Sequence, residues 1–400
     1  VAEPWLSVVG IGEDGMAGLS DAARAAVKSA EALVGAERHL ALVAPSDQER
    51  IAWGPRFAEG LPKLLALRGR RVVALASGDP FWFGAGTSIA AAVPADETTV
   101  HPAPSTFSLA SARLRWPLEG TATLGLHARS LALVRPHLRP GARLIVLVRD
   151  GPAAAALARE IAAAGFGPSR LIALEALGGP RERVRETTAA GWSLTDAAHP
   201  LAVAIEAAAA PGARAIPRVA GLPDDLFEHD GQLTKREIRA LTLSSLAPLG
   251  DETLWDIGAG AGSIGIEWLL AHPGNHALGL ERDPARIERA RRNALALGVP
   301  HYDLRRGGDP RALDGWPDPD AVFVGGGASE GFLARAWGAL RPGGRLVVNA
   351  MTLDTEALIL RWRDSVGGTL ARIAVARAEP VGGRSGWRAA APVLHWVAVK

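Results

Sequence analysis

The sequence predicts an α/β protein made of two successive units. Three observations carry this. Short apolar runs alternate with helical stretches along nearly all of the 400 residues. A glycine-rich loop directly follows an apolar run at two places, "VVGIGEDG" (8–15) and "DIGAGAGSIGIE" (256–267). Between the two patterns lies "AAAPGARAIPRVAGL" (208–222), rich in Pro, Gly and Ala and without periodicity. Strand–helix alternation implies βαβ crossovers and parallel sheets with helices on their faces. The length exceeds one ordinary core, and the boundaries read as a first unit over 1–207, a linker over 208–222 and a second unit over 223–400.

In the first unit, Trp5 to Val9 reads as a strand, and Ser20 as the N-cap of the helix "DAARAAVKSAEAL". "RRVVALASGDP" is a strand running into a Gly-Asp-Pro turn, and "PSTFSLASARL" a helix opening at Ser105. "ARLIVLVRD", the helix "AAAALAREIAAAG", and the strands "RLIALEALGG" and "PLAVAIEAA" make a second α/β portion. Beyond the linker, "LTKREIRALTLSSL" is helical. The strands "ETLWDIGAG", "HALGLERD", "DAVFVGGG" and "RLVVNAM" then alternate with the helices "SIGIEWLLA", "PARIERARRNALALG" and "GFLARAWGALRPGG". "GTLARIAVARAEPV" and "VLHWVAVK" read as a closing strand pair that adds an antiparallel edge.

A hydrophobic share of 48% with 22% charged residues is that of a folded chain. No apolar run reaches the ~18 residues of a membrane span. The start "VAEPWLSVVG" lacks the basic and long apolar regions of a signal peptide, so a cytoplasmic protein is expected. The absence of cysteine excludes disulfides, thiolate metal ligands and a cysteine nucleophile. A net charge of +2 implies no field for nucleic acid or a membrane surface. Lys28, Lys63, Lys235 and Lys400 are the only lysines among 44 basic residues. Arginine forks suit a substrate rich in carboxylates, although a GC-rich genome produces the same bias. The histidines are scattered without ligand spacing, and no metal site is expected.

Gly10, Gly12 and Gly15 spell the G-x-G-x-x-G of a dinucleotide loop, but Glu13 and Asp14 inside it would repel a pyrophosphate. In the second loop, Asp256 ends a strand. Gly258, Gly260 and Gly262 then alternate with Ala259 and Ala261, and a helix opens near Ser263. Glu281 ends the next strand, where a carboxylate can accept from both hydroxyls of an adenosine ribose. Gly260, Gly262 and Gly265 also fit a nicotinamide dinucleotide. Asp256 favours S-adenosylmethionine instead, whose ammonium and sulfonium bring no phosphate.

"VVGIGEDG", "GAERHLAL", "ALASGDPFWFGAG", "HPAPSTFSLASARL" and "LIALEALGGPRERVRE" together resemble the tetrapyrrole methylases, the class III methyltransferases. "GQLTKREIRALTLSSL" followed by "DIGAGAGSIGIE" resembles a class I methyltransferase. The resemblance runs from about Trp5 to Val399. It implies a two-subdomain tetrapyrrole methylase fold followed by a Rossmann-like fold, with two S-adenosyl-L-methionine sites, a tetrapyrrole (precorrin) substrate and a homo-oligomer. Gly78, Asp79, Pro80, Ser105 and Thr106 would line the first cofactor site. Thr234 and the adenine-side pair Asp309 and Pro310 would join Asp256 to Gly262 and Glu281 in the second. Two positions depart from the pattern: Glu13-Asp14 stands in place of Pro-Gly, and Ala103 in place of a glycine.

The implied reaction is methylation of a precorrin at carbons 5 and 15, with loss of carbon dioxide from the ring C acetate, in cobalamin synthesis. The first unit would methylate carbon 5, and the second would methylate carbon 15 and decarboxylate. Lys235, Asn349 and Arg384, the last in a flexible loop "VGGRSGWR", are candidates to position substrate carboxylates; His39, His127 and His229 are candidate acids or bases. Two other readings compete: an NAD-dependent oxidoreductase and a non-catalytic tetrapyrrole carrier.

Overall fold

Runs of Val, Leu, Ile and Ala set the strands. The computed structural model describes residues 4–54 and 57–400. It falls into two units, Val1–Leu131 with His137–Arg214, and Ala132–Pro136 with Ala215–Lys400. In the first unit, β1 (Leu6–Ile11), β2 (Ala32–Gly35), β3 (Glu49–Ala52), β4 (Val72–Ser77) and β5 (Thr98–His101) form a sheet ordered β3-β2-β4-β1-β5. All its pairings are parallel, with Leu6 facing Val72 on one side and Thr98 on the other. Helices cover both faces of such a sheet, so β1 and β4 are buried almost throughout. Ser20 caps its helix as expected, accepting from the Ala23 amide at 3.2 Å.

The second sheet of this unit comprises β6 (Thr121–Gly125), β7 (Arg143–Val148), β8 (Arg170–Glu175), β9 (Arg183–Thr188) and β10 (Leu201–Glu206), ordered β6-β7-β10-β8-β9. Only β6 and β7 run parallel. Sequence patterning does not expose β9, "RVRETT", because an edge strand carries charge where an inner strand carries valine.

The second unit holds β11 (Thr253–Ile257), β12 (His276–Glu281), β13 (Asp303–Arg306), β14 (Ala321–Val324), β15 (Arg345–Ala350), β16 (Thr369–Ile373), β17 (Ala376–Val381), β18 (Arg384–Ala389) and β19 (Val393–Val399). Its main sheet is ordered β13-β12-β11-β14-β15-β19-β16, parallel except for β19, which runs antiparallel to both neighbours. The order reverses between β11 and β14, where an open α/β sheet leaves a crevice at its strand ends.

The expected closing strand pair is more elaborate. "GTLARIAVARAEPV" divides into β16 and β17, and β17 pairs with β18 as a separate hairpin turning at Gly382-Gly383. Arg384 is therefore the first residue of a strand paired to Val381, and not part of an irregular loop. Among the described residues, no helix is long and apolar enough to cross a membrane.

Candidate functional site

In the second unit, the glycine loop joins β11 to the helix Ser263–Ala271 at the switch point. Gly258, Gly260 and Gly262 have φ of 77°, 56° and 79°, a region L side chains rarely enter. Gly258 lies against Gly326, whose carbonyl oxygen would stand 2.4 Å from an added Cβ. A Cβ on Gly260 would meet nothing nearer than the Gly258 oxygen at 3.9 Å, and one on Gly326 or Gly327 nothing within 4 Å. The loop and the triglycine after β14 thus border open space. That triglycine escaped the sequence reading, since consecutive glycines have no spacing signature of their own.

Glu281 organises the loop. Its Oε2 accepts from the Gly260 amide at 2.9 Å, and its Oε1 from the Arg282 and Asp283 amides at 2.9 and 3.0 Å. Ala259 and Ala261 are buried beside it. Asp256 is 1% exposed; its Oδ2 accepts from the Tyr302 hydroxyl at 2.5 Å and the Gly265 amide at 3.1 Å. Its Oδ1 is buried without a hydrogen-bond partner. Burial pushes the Asp256 carboxyl up to about 6, helped by the negative charge of Glu281. Gly265 serves packing: a Cβ there would stand 2.3 Å from the Tyr302 hydroxyl.

Two carboxylates, one with an unpartnered oxygen, under a loop open to solvent fit a cationic ligand and oppose a pyrophosphate. The residues present therefore fit S-adenosylmethionine. Asp309 caps a short 3-10 turn that begins at Pro310; its exposed carboxylate accepts from the Arg311 amide at 2.8 Å and pairs with that guanidinium.

A buried ion pair, unforeseen from the sequence, holds the entry to this unit. Arg239 and Glu267, 0% and 4% exposed, meet at 2.5 Å. Glu267 accepts from the Gly221 and Leu222 amides at 2.6 and 2.9 Å, while Arg239 reaches Asp224 at 3.0 Å and the carbonyls of Leu222 and Thr234. Thr234 is thereby fixed just ahead of the helix Arg236–Leu246. Lys235 caps that helix through its backbone, and its half-buried side chain has no polar partner among the described residues. Asn349 is buried: its Nδ2 donates to Thr242 at 2.9 Å, and its Oδ1 lies 2.7 Å from His395 Nδ1. Arg384 is exposed at the β17–β18 turn.

In the first unit, the ends of β1, β4 and β5 converge. A Cβ on Gly10 would stand 1.9 Å from the Gly78 oxygen, and Gly78, with φ 51°, lies against Pro104 and Ser105. Asp79 accepts from the Phe81 amide at 2.9 Å and shapes the turn at Pro80. Ser105 caps the helix Thr106–Leu114, accepting from the Ser108 amide at 3.1 Å, and Thr106 follows it half-buried. Of the histidines, His39 is buried, and desolvation with the charge of Arg38 pushes it down to about 3, leaving it neutral. Burial also lowers His127. His229 accepts from the Gly231 amide at 3.1 Å.

Comparisons with known proteins follow this division. The family of tetrapyrrole (corrin/porphyrin) methylases matches residues 6–192, and the precorrin methyltransferase domain matches residues 225–400. A Sinorhizobium protein named precorrin-6Y C(5,15)-methyltransferase [decarboxylating] is 50% identical over 99% of this chain and 96% of its own. One of the same name from Mycobacterium tuberculosis is 38% identical over 98% of this chain and 99% of its own. A Saccharolobus solfataricus protein named probable cobalt-precorrin-6B C(15)-methyltransferase (decarboxylating) is 35% identical over 37% of this chain and 78% of its own.

Proposed function

The chain belongs to the precorrin-6Y C(5,15)-methyltransferase (decarboxylating) family, and from that premise we propose how its two units share the work. The enzyme methylates a precorrin, with S-adenosylmethionine as donor, and decarboxylates it. In our reading there are two donor sites. The first unit, around Gly78-Asp79-Pro80 with Ser105 and Thr106, serves carbon 5. The second, around Gly258–Gly262 with Glu281, serves carbon 15 and removes the ring C acetate carboxyl as carbon dioxide. The observation that carries this is the pair of unlike glycine turns at strand ends, one in each unit. The Saccharolobus relative supports it, because a protein matching only 37% of this chain is named for the carbon 15 reaction and decarboxylation alone.

S-adenosylmethionine supplies an electrophilic methyl group that an electron-rich macrocycle carbon attacks. The chain's own task is then mainly to hold and exclude, since in-line positioning accounts for much of such a rate gain. Glu281 would hold the ribose hydroxyls while keeping the loop closed through Gly260. Asp256 sets the negative potential beneath the loop and anchors the helix through Gly265. Thr234, Asp309 and Pro310 would border the nucleoside. Lys235 and Arg384 are our candidates to grip substrate carboxylates in this unit. Asn349 would offer at most its remaining N–H, because Thr242 and His395 hold the rest of its amide. The macrocycle itself takes up the electron pair released with carbon dioxide. A homo-oligomer acting in the cytoplasm, with functional boundaries near 207 and 223, completes the proposal.

The test is mass spectrometry of the product formed from precorrin-6Y and S-adenosylmethionine. A gain of two methyl groups with loss of carbon dioxide is expected; turnover without decarboxylation would overturn the reading.

A further inference from the structure

Glu13, which departs from the pattern in the first glycine loop, spans the two sheets of the first unit. Its Oε1 accepts from Arg38 Nη1 at 2.7 Å, just beyond β2; its Oε2 accepts from Arg181 Nη2 at 2.9 Å, on the connection between β8 and β9. The Glu13 side chain is 9% exposed, those of Arg38 and Arg181 32% and 67%. Arg38 also donates to the hydroxyl of Ser77, the residue before Gly78. Beside this bridge a cavity of about 400 Å³ is lined by Arg181, Arg183, His199, Pro180 and Glu175, among others. Glu175 and Asp196 already neutralise Arg183, whereas among the described residues Arg181 has no acidic partner but Glu13. Burial and the charge of Arg38 lower both His39 and His199, so neither imidazole competes for the carboxylate as a cation.

One carboxylate thus satisfies two guanidiniums, next to a cavity rimmed by charged side chains and one residue from the Gly78 turn. Exchanging it for another carboxylate leaves neither guanidinium uncompensated, so the exchange avoids the cost of stranding those two cations. A precorrin carries acetate and propionate side chains that can make the same forked contacts. Resting on the proposed carbon 5 role of this unit, we propose that Arg38 and Arg181 are its substrate-carboxylate anchor and that Glu13 is the anchor's internal occupant, displaced when a substrate carboxylate enters.

Steady-state carbon 5 methylation of precorrin-6Y by the full chain tests this, alongside calorimetry with S-adenosylhomocysteine. Arg181→Gln alters an exposed residue. It should raise KM for the macrocycle about tenfold or more, the scale of a lost charge-assisted contact, with kcat within about twofold. S-adenosylhomocysteine affinity and the carbon 15 reaction should hold. Glu13→Gln should instead lower KM, because the internal competitor has lost its charge. An unchanged or raised KM in Glu13→Gln overturns the proposal, since Glu13 would then be a structural latch. So does an unchanged KM in Arg181→Gln, which stands as a test even if Glu13→Gln does not fold. Wild-type chain that leaves carbon 5 unmethylated would overturn the functional reading instead.

Discussion

Tyr302, the single tyrosine of the chain, donates a hydrogen bond from its hydroxyl to Asp256 across 2.5 Å beneath the glycine loop, and both are buried. Desolvation raises the Asp256 carboxyl from 3.8 to about 6. The folded state therefore binds more protons than the unfolded state between those values. The contribution of Asp256 to stability should fall as pH rises from about 4 to about 6 and level off above, by on the order of 2–3 kcal/mol. Urea unfolding at stepped pH of the wild type and of Asp256→Asn measures this: the stability of the variant relative to the wild type should rise across that window, so the two slopes differ. A variant with the wild-type slope would contradict it.

Glu281 holds three backbone amides. Glu281→Ala should weaken S-adenosylhomocysteine binding in the second unit by about 1–3 kcal/mol, the usual cost of leaving buried polar groups unpaired. The first unit's affinity should not move. Calorimetry that resolves both sites would show it; equal loss at both, or none, would remove the ribose role.

Arg239 and Glu267 make a different prediction, about folding. Glu267→Ala removes one of the two carboxylates that hold a fully buried guanidinium, leaving Asp224, and should cost up to about 3–5 kcal/mol, while Arg239→Met combined with Glu267→Met should cost less than that single change. Thermal and urea unfolding decide between them. By the same contacts, a fragment starting at Ala215 keeps Gly221 and Leu222 and should fold and bind S-adenosylhomocysteine. One starting at Asp225 should be markedly less stable.

The two donor sites should also separate by mutation. Gly260→Val puts a branched side chain at φ 56° beside the open cleft, and should abolish the carbon 15 methylation and the decarboxylation. Asp79→Ala with Ser105→Ala should remove only the carbon 5 methyl group. Product mass spectra distinguish these; loss of both methylations from either lesion in a folded protein would mean obligate coupling.

Much of this was legible in the residues because it is local. Both glycine loops, the caps at Ser20 and Ser105 and the apolar strands declare themselves within a dozen positions. What stayed hidden depends on distant partners. Glu13 meets Arg181 across 168 residues, and Glu267 meets Gly221 across 46, so no spacing reveals either contact. Tyr302 explains Gly265 only once β12 and the helix are packed together. The polar strands β9 and β18 lack the alternation that marks a half-buried strand, because little of their surface is covered.

The placement of β19 bears on synthesis. Residues Val393–Val399 lie between β15 and β16, and Trp396 within them is fully buried. A nascent chain can close both sheets of the first unit once residue 206 has emerged from the ribosome. The main sheet of the second unit must wait for nearly two hundred further residues, and until then β15 and β16 each offer an open edge. The interval in which translation leaves those edges bare is when this protein is most exposed to misassembly.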